Sequence, residues 1–310
     1  MKISKRWQAY GWLLLNTVCW GAALVVVKPA LSYVTAFEFL FYRFVLAGVL
    51  TLPWLIKLLL QARWRHHLPK LILNEVLGVI IYLALLYEGL ARTSAIEASL
   101  LTTTLPFFVI LAGVIVLKEK QTGREWRGFV LSFVGILMIS VLPLLNQSGL
   151  GTGVSIGGNL LVLLANVAGA LYYVTAKRWY KKVPKLLAAM VGFWVGAIGF
   201  GVLAVVMGQG GGLIGLAQIA AGNLSQPAVL FASLYMAIAG SIIGLTAYIK
   251  GQDLIEASEA SLFDYLQPLI YLPLGIIFLG ELISLGQVLG LALVVVGVIV
   301  AQQPFSKKRV

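Results

Sequence analysis

The sequence predicts an all-α membrane protein with ten transmembrane helices, arranged as two five-helix repeats of inverted topology. Three observations lead there: the composition, the placement of positive charge, and an internal repeat. Of 310 residues, 60% are hydrophobic and 11% are charged, whereas soluble domains carry about 25% charged residues. Thirty-three glycines in a Leu/Val/Ile/Ala-rich background suit helices that approach closely inside lipid. A transmembrane barrel would alternate apolar and polar residues over roughly 10-residue strands, but stretches such as 95–117 and 285–301 are apolar on every face. The spans are therefore expected to be helices.

Apolar stretches long enough to cross a bilayer, bounded by charge or by Gly/Pro/Asn clusters, fall at 10–31, 36–58, 70–91, 95–117, 126–145, 157–178, 187–208, 228–250, 258–279 and 284–302. The start, 1–7, carries Lys2, Lys5 and Arg6 but no small-residue cleavage site, so it reads as the flank of a retained first span. The connections are short and leave no room for a soluble domain. The longest, 207–227, contains Gly210, Gly211 and Gly212 and reads as a flexible, uncharged loop. The one cysteine, Cys19, has no second thiol or histidine nearby and reads as packing.

With the N-terminus in the cytoplasm, 20 of the 23 Lys and Arg residues fall on the inner side, leaving Lys28 and Arg92 outside and Arg43 within a span. That asymmetry orients the chain with both termini cytoplasmic, as a multi-pass protein of the cell inner (plasma) membrane. It also accounts for the net charge of +12 through topology and attraction to anionic membrane lipids, without a nucleic-acid partner. His66 and His67 fall in an inner loop, where an interfacial role is expected rather than metal binding.

An offset of 162 residues aligns 78–135 with 240–297 without a gap, with 19 of 58 positions identical. Glu97-Ala98-Ser99-Leu100 meets Glu259-Ala260-Ser261-Leu262; Pro106 meets Pro268, Glu119 meets Glu281, and Gly78, Gly89, Gly113, Gly128 and Gly135 each meet a glycine. Hydrophobic composition alone does not align glutamates, prolines and glycines together. A weaker match near an offset of 149 sets Lys28 beside Lys177 and ties span 1 to span 6. The repeats are expected at 1–150 and 151–310. Because five spans is an odd number, the second copy enters from the opposite face, giving the inverted halves that recur in secondary transporters with the solute near the midplane.

These residues resemble the EamA-like branch of the drug/metabolite transporter superfamily over essentially the whole chain. The likeness rests on Trp20-Gly21 leading to Lys28, on Phe41-Tyr42-Arg43-Phe44, and on Glu97-Ala98-Ser99-Leu100 with Pro106 and Lys118-Glu119. Its second-half counterparts are Glu259 to Leu262, Pro268 and Gly280-Glu281. The resemblance implies a ten-helix bundle with a central cavity lined mainly by spans 1, 3, 4, 6, 8 and 9, and solute transport, frequently export of amino acids or related metabolites. It is almost silent on substrate.

A charged side chain at mid-span costs about 2.5–3.5 kcal/mol on insertion scales, so each one faces the interior, pairs, or meets solute. Arg43 reads either as a fixed positive charge at the cavity mouth or as a structural partner for Glu38, Glu88 or Glu97. In span 3, Glu75, Gly78, Tyr82, Leu86 and Gly89 share one stripe; the matched stripe in span 8 is Ala237, Gly240, Gly244, Tyr248 and Gly251. Asp264, Gln267 and Tyr271 share a face of span 9, where span 4 has Thr102, Leu105 and Val109. The skeleton repeats and the chemistry does not. Asp264 and Glu75 are the carboxylates expected to take a proton or a substrate ammonium, with Trp20, Tyr82, Tyr173 and Tyr271 as amphipathic walls and Asn166 as a further polar contact. Lys28, Glu97 and Glu259 are expected at gates, the two glutamates also as caps, and Pro106 and Pro268 as kinks serving as hinges.

No enzyme is expected. The histidines are adjacent, and no HExxH, GxSxG or cysteine pair is present, so neither a metal nor a cofactor is called for. Arg43 alone is too little positive charge for a cavity handling phosphorylated or nucleotide-linked sugars, the alternative carrier reading; a channel-like facilitator is the other. The expected partner is a small organic solute, and the expected state a monomer, with a dimer as the alternative.

Overall fold

The computed structural model describes residues 5–118, 123–145, 155–180, 183–207, 212–255 and 262–302. Among them the regular structure is entirely helical. Seven helical stretches are long and apolar enough to cross a membrane: Lys5–Ser32, Ala36–Leu59, Leu68–Arg92, Ala95–Val116, Ile156–Ala176, Lys185–Met207 and Pro227–Gln252. Shorter apolar helices, Trp126–Ile139, Pro268–Leu279 and Leu285–Gly297, stand where spans 5, 9 and 10 are expected.

The first stretch contains α1 (Lys5–Gly21) and α2 (Ala23–Val27). α3 (Ala36–Leu59) opens on a capping box in which Thr35 and Glu38 satisfy each other's backbone amides. The third stretch is α4 (Leu68–Glu75), a π-helical segment Val76–Ile81, and α5 (Tyr82–Arg92). The eighth-span counterpart is built the same way, as α12 (Pro227–Tyr235), a π-helical segment Met236–Gly244, and α13 (Leu245–Gln252); the two widened segments overlap at the 162-residue offset. The helices α9 (Ile156–Trp179) and α10 (Lys185–Met207) complete the long set, with α8 (Gly123–Leu145), α14 (Pro268–Leu279) and α15 (Leu285–Gln302).

Two expectations change here. Span 4 does not bend at Pro106: it breaks. α6 (Ala95–Thr102) ends, Thr103 and Thr104 turn, and α7 (Leu105–Leu117) restarts with Pro106 in its first turn. There the missing N–H has no helical acceptor to lose. The hydroxyls of Thr102, Thr103 and Thr104 donate to the carbonyls of Ser99, Leu100 and Leu101, and the backbone amides of Thr103 and Thr104 also reach Ser99 and Leu101. Pro268 likewise opens α14 after a 3-10 turn at Leu262–Leu266. Both restarted helices end on a left-handed residue at matched positions, Lys118 (φ 55°) and Gly280 (φ 64°). The second change is α11 (Gly212–Leu224), a helix inside the expected loop. It packs on α10 and α12, and Asn223 donates to the Tyr42 hydroxyl at 2.9 Å.

Glycines set the closest contacts. α8 and α15 approach so nearly that a Cβ added to Gly135 would lie 2.5 Å from the Gly290 carbonyl oxygen, and one on Gly290 would lie 2.8 Å from that of Gly135. Gly297 approaches Ser132 and the Gly128 carbonyl in the same way. Gly128 and Gly135 are the 162-offset partners of Gly290 and Gly297, so repeat-matched residues make reciprocal contacts.

Candidate functional site

Two helix pairs frame the interior. Every polar or small member of the span 3 stripe meets α9: Glu75 and Gly78 lie against Tyr172, Tyr82 against Gly169, and Gly89 against Gly158 and Val162. The matched stripe meets α1. Trp20 Nε1 donates to the Gly240 carbonyl at 3.0 Å and Asn16 Nδ2 to that of Gly244 at 3.1 Å; the Tyr248 ring packs on Trp20 at a tilt of 35°, with centroids 5.2 Å apart, and Gly251 packs on Leu13. A π-helical turn leaves backbone acceptors out of the usual pattern, and here side chains of α1 take them up.

At the crossing of these pairs lie Trp20, Tyr82, Tyr173, Tyr248, Asp264 and Gln267. Each keeps accessible surface, Tyr173 37% of it, and Asp264 is the charged neighbour common to Tyr82, Tyr173 and Tyr248. We read the space they share as an internal cleft with aromatic walls and one carboxylate. Gln267 Nε2 donates to Asp264 Oδ1 at 3.2 Å, which orients the carboxyl, and α1 anchors the segment through a Thr17 bond to the Phe263 carbonyl at 3.1 Å. Such a cleft suits a small organic solute bearing an ammonium group and an apolar body.

The remaining candidates sit elsewhere. Tyr271 is 2% exposed and belongs to the hydrophobic core, so it supports the cleft from behind instead of lining it. Asn166 is sealed and donates to the Leu101 carbonyl at 2.8 Å and to Thr104 Oγ1 at 2.9 Å, holding the break between α6 and α7. Glu75 is 2% exposed and accepts from Tyr180 at 2.8 Å and Tyr172 at 3.3 Å. Glu259 lies outside the described residues.

Arg43 pairs with none of its three expected partners. Glu38 caps α3, Glu88 pairs with Arg92 at 2.8 Å, and Glu97 binds elsewhere. The Arg43 guanidinium, 7% exposed, donates to the Tyr87 hydroxyl at 2.7 Å and to Ser241 Oγ at 3.1 Å, and lies 4.6 Å from the centre of the Phe44 ring. It joins α3 to the π-helical segment of span 8.

A polar corner closes one end of the bundle. The Lys28 ammonium donates to the carbonyls of Leu90, Ala91 and Thr93, matching its three protons to the C-terminal end of α5. Glu281 accepts from the backbone amides of Ala95 and Ile96 at 2.7 and 2.6 Å, and Ser94 accepts from that of Glu97 at 3.0 Å. Capping of α6 therefore falls to Ser94 and Glu281, not to the Glu97 side chain. That carboxylate, fully buried, accepts from Thr93 at 2.8 Å and from Asn159 of α9 at 2.8 Å. Glu281 is the member that sequence reasoning left out of the site, although its alignment with Glu119 marked it; Tyr172, Tyr180 and Asn159 carried no sequence signal.

The family model described as EamA-like transporter family matches twice, over residues 7–141 and 156–302. The uncharacterized transporter YyaM of Bacillus subtilis is 26% identical over 302 residues, covering 96% of this chain and 94% of its own. An uncharacterized transporter of Archaeoglobus fulgidus is 25% identical over 287 residues, covering 92% and 95%. A solved crystal structure shares the fold at a TM-score of 0.51 and 17% identity, covering 96% of both chains.

Proposed function

This chain belongs to the EamA-like transporter family, and from that premise we propose that it is a secondary transporter exporting amino acids or related small organic metabolites by alternating access. In this reading ten spans form two inverted five-helix repeats, 1–150 and 151–310, in the inner (plasma) membrane with both termini cytoplasmic. The carrier works as a monomer or a dimer. The observation that carries the substrate class is the cleft itself, with Asp264 among Trp20, Tyr82, Tyr173 and Tyr248. A carboxylate ringed by amphipathic aromatics recognises an ammonium group and tolerates varied apolar side chains.

Asp264 meets the solute ammonium, Gln267 orients it, and Trp20, Tyr82 and Tyr173 form the walls. Arg43 supplies a positive charge beyond Tyr82, whose phenol has both Arg43 and Asp264 as charged neighbours; a zwitterion fits between charges of opposite sign. Lys28, Glu97 and Glu281 close the outer corner, and the breaks before Pro106 and Pro268 are its flexing points. The test is a thermal-unfolding screen of purified protein against amino acids, amines, nucleosides, sugars and sugar phosphates. A ligand at ten times its Kd adds about 1.4 kcal/mol of native stability. Stabilisation by amino acids or amines, abolished in Asp264→Asn while the unliganded Tm holds, is the expected result. Stabilisation by sugar phosphates alone overturns the substrate class.

A further inference from the structure

Glu75 is a buried carboxylate that neither the solute site nor the polar corner of Lys28, Glu97 and Glu281 uses. It lies within the bundle at 2% exposure, and among the described residues no Lys, Arg or His pairs with it. Its partners are neutral donors from one neighbour: the Tyr180 hydroxyl at 2.8 Å and the Tyr172 hydroxyl at 3.3 Å. Its room is reserved by Gly192 of α10, where an added Cβ would lie 2.6 Å from Glu75 Oε2. The preceding residue is tied in as well: Asn74 donates to the Tyr180 hydroxyl at 2.9 Å and accepts from Thr175. This cradle suits both states of the group. Two phenol donors offset part of the cost of a charge inside the membrane, and loss of that charge removes the cost altogether.

Position supplies the link to transport. Tyr172 holds Glu75, and the adjacent Tyr173, whose ring centroid is 5.4 Å away, faces the cleft with Asp264 as a charged neighbour. One turn of α9 thus carries a hydrogen bond to Glu75 and a ring whose charged neighbour is Asp264. Glu75 also ends α4 where the π-helical segment begins, and its 162-offset counterpart is Ala237, so the arrangement occurs once per chain. The other groups around it are few. α9 presents Tyr172, Tyr173 and Tyr180; Lys185 at the start of α10 is engaged with Asp253 at 2.8 Å; on α4 Lys70 is exposed, and His66 and His67 lie at the far end of that helix, about 12 Å away at 1.5 Å per residue.

We propose that Glu75 is the proton-coupling site of this carrier: its carboxylate takes one proton from the outer compartment, forming an O–H bond, and returns it to the cytoplasm while one solute leaves by the Asp264 cleft. This rests on the carrier reading above. Charged Glu75 grips Tyr172 and Tyr180 and fixes α9 against α4; neutral Glu75 loosens that grip.

The test uses proteoliposomes of the full chain loaded with a 14C-labelled mixture of the protein amino acids, followed with and without an imposed pH gradient. The wild type is expected to exchange label at equal pH and to accelerate about tenfold under the gradient. Glu75→Gln should still exchange label at equal pH, at whatever rate, and lose the acceleration. Acceleration retained in Glu75→Gln, or wild-type exchange indifferent to pH, overturns the proposal and leaves the carrier reading standing. If the wild type moves no label at all, the amino-acid reading falls, and a solute-free measurement decides on Glu75: a protonated-carboxyl infrared band that titrates in the wild type and is missing in Glu75→Gln supports the site, while identical titration in both removes it. Tyr180→Phe covers the case in which Glu75→Gln does not fold. Removing one donor to the anion should move that band's midpoint up by roughly one pH unit, and an unmoved midpoint counts against the site.

Discussion

Replacing Glu281 by alanine removes two carboxylate-to-amide hydrogen bonds, of 2.7 Å to Ala95 and 2.6 Å to Ile96. Both amides are first-turn donors of α6 with no helical acceptor, and Ser94 already serves the next one, at Glu97. A bond to a charged acceptor is worth about 1.5–3 kcal/mol. The site is only part-buried, so water recovers some of the loss, and a net cost of about 2 kcal/mol follows, as for a strong N-cap. If the corner opens when the carrier turns outward, these bonds stabilise only the closed state, and losing them shifts the population about 30-fold toward the open one. The assay is outside labelling by a membrane-impermeant maleimide, in a Cys19→Ser background with a cysteine in place of Thr102, which lies part-exposed at the helix break. Glu281→Ala is expected to label about ten- to thirtyfold faster, with Glu281→Gln intermediate because one oxygen acceptor remains. A fall in Tm with an unchanged labelling rate would show that the cap persists in every conformation, and the corner would then be a joint and not a gate.

Two further substitutions test the surroundings of the cleft. Tyr271→Ala empties a buried site and should cost about 3–5 kcal/mol of stability, whereas Tyr271→Phe should transport nearly as well as wild type; a transport defect in Tyr271→Phe with an intact Tm would return the hydroxyl to the solute site. Gly135→Ala and Gly290→Ala each drive a methyl toward a facing carbonyl and should each cost about 1–3 kcal/mol in thermal unfolding. Because either one separates the same two helices, the double variant should lose less than the sum, and strict additivity would mean that α8 and α15 are not in this contact.

The sequence made visible whatever repeats with a short period or a fixed offset. The stripe from Glu75 to Gly89 was readable because residues three and four apart share a helix face, and its members do meet one neighbour, α9. The glycines matched at 162 residues are the ones that meet where α8 and α15 approach, although the match itself did not say which helices they would join. What stayed hidden depends on which distant residue arrives. Tyr180 reaches Glu75 from 105 residues away, and Arg43 settles on Tyr87 and Ser241 although three glutamates were candidates on charge alone. The Pro106 reading failed for a local reason. Proline signals an interrupted helix without saying whether the chain bends or restarts, and the three preceding threonines favour the restart by returning their hydroxyls to the last carbonyls of α6.

The two helix pairs that frame the cleft solve one packing problem in opposite ways. Trp20 presses on Gly244 where α1 crosses span 8, while Tyr82 presses on Gly169 where span 3 crosses α9. Gly244 is the offset partner of Tyr82, and Gly169 that of Trp20. Each repeat-matched pair thus holds one ring and one glycine, with both rings in the first half and both glycines in the second. Had each half kept its own ring, two rings would meet at each crossing, and the hard packing of protein interiors would force the helices apart. The exchange keeps both crossings close and leaves the second half's share of the cleft to Tyr173, Tyr248, Gln267 and Asp264. In the proposed carrier, a solute entering it would meet the indole and a phenol from the first half and the carboxylate from the second, and would be held in one orientation whichever way the cleft faced. On that proposal the backbone repeat would let one chain build two similar conformations, and the unequal side chains would give the ligand a fixed pose within both.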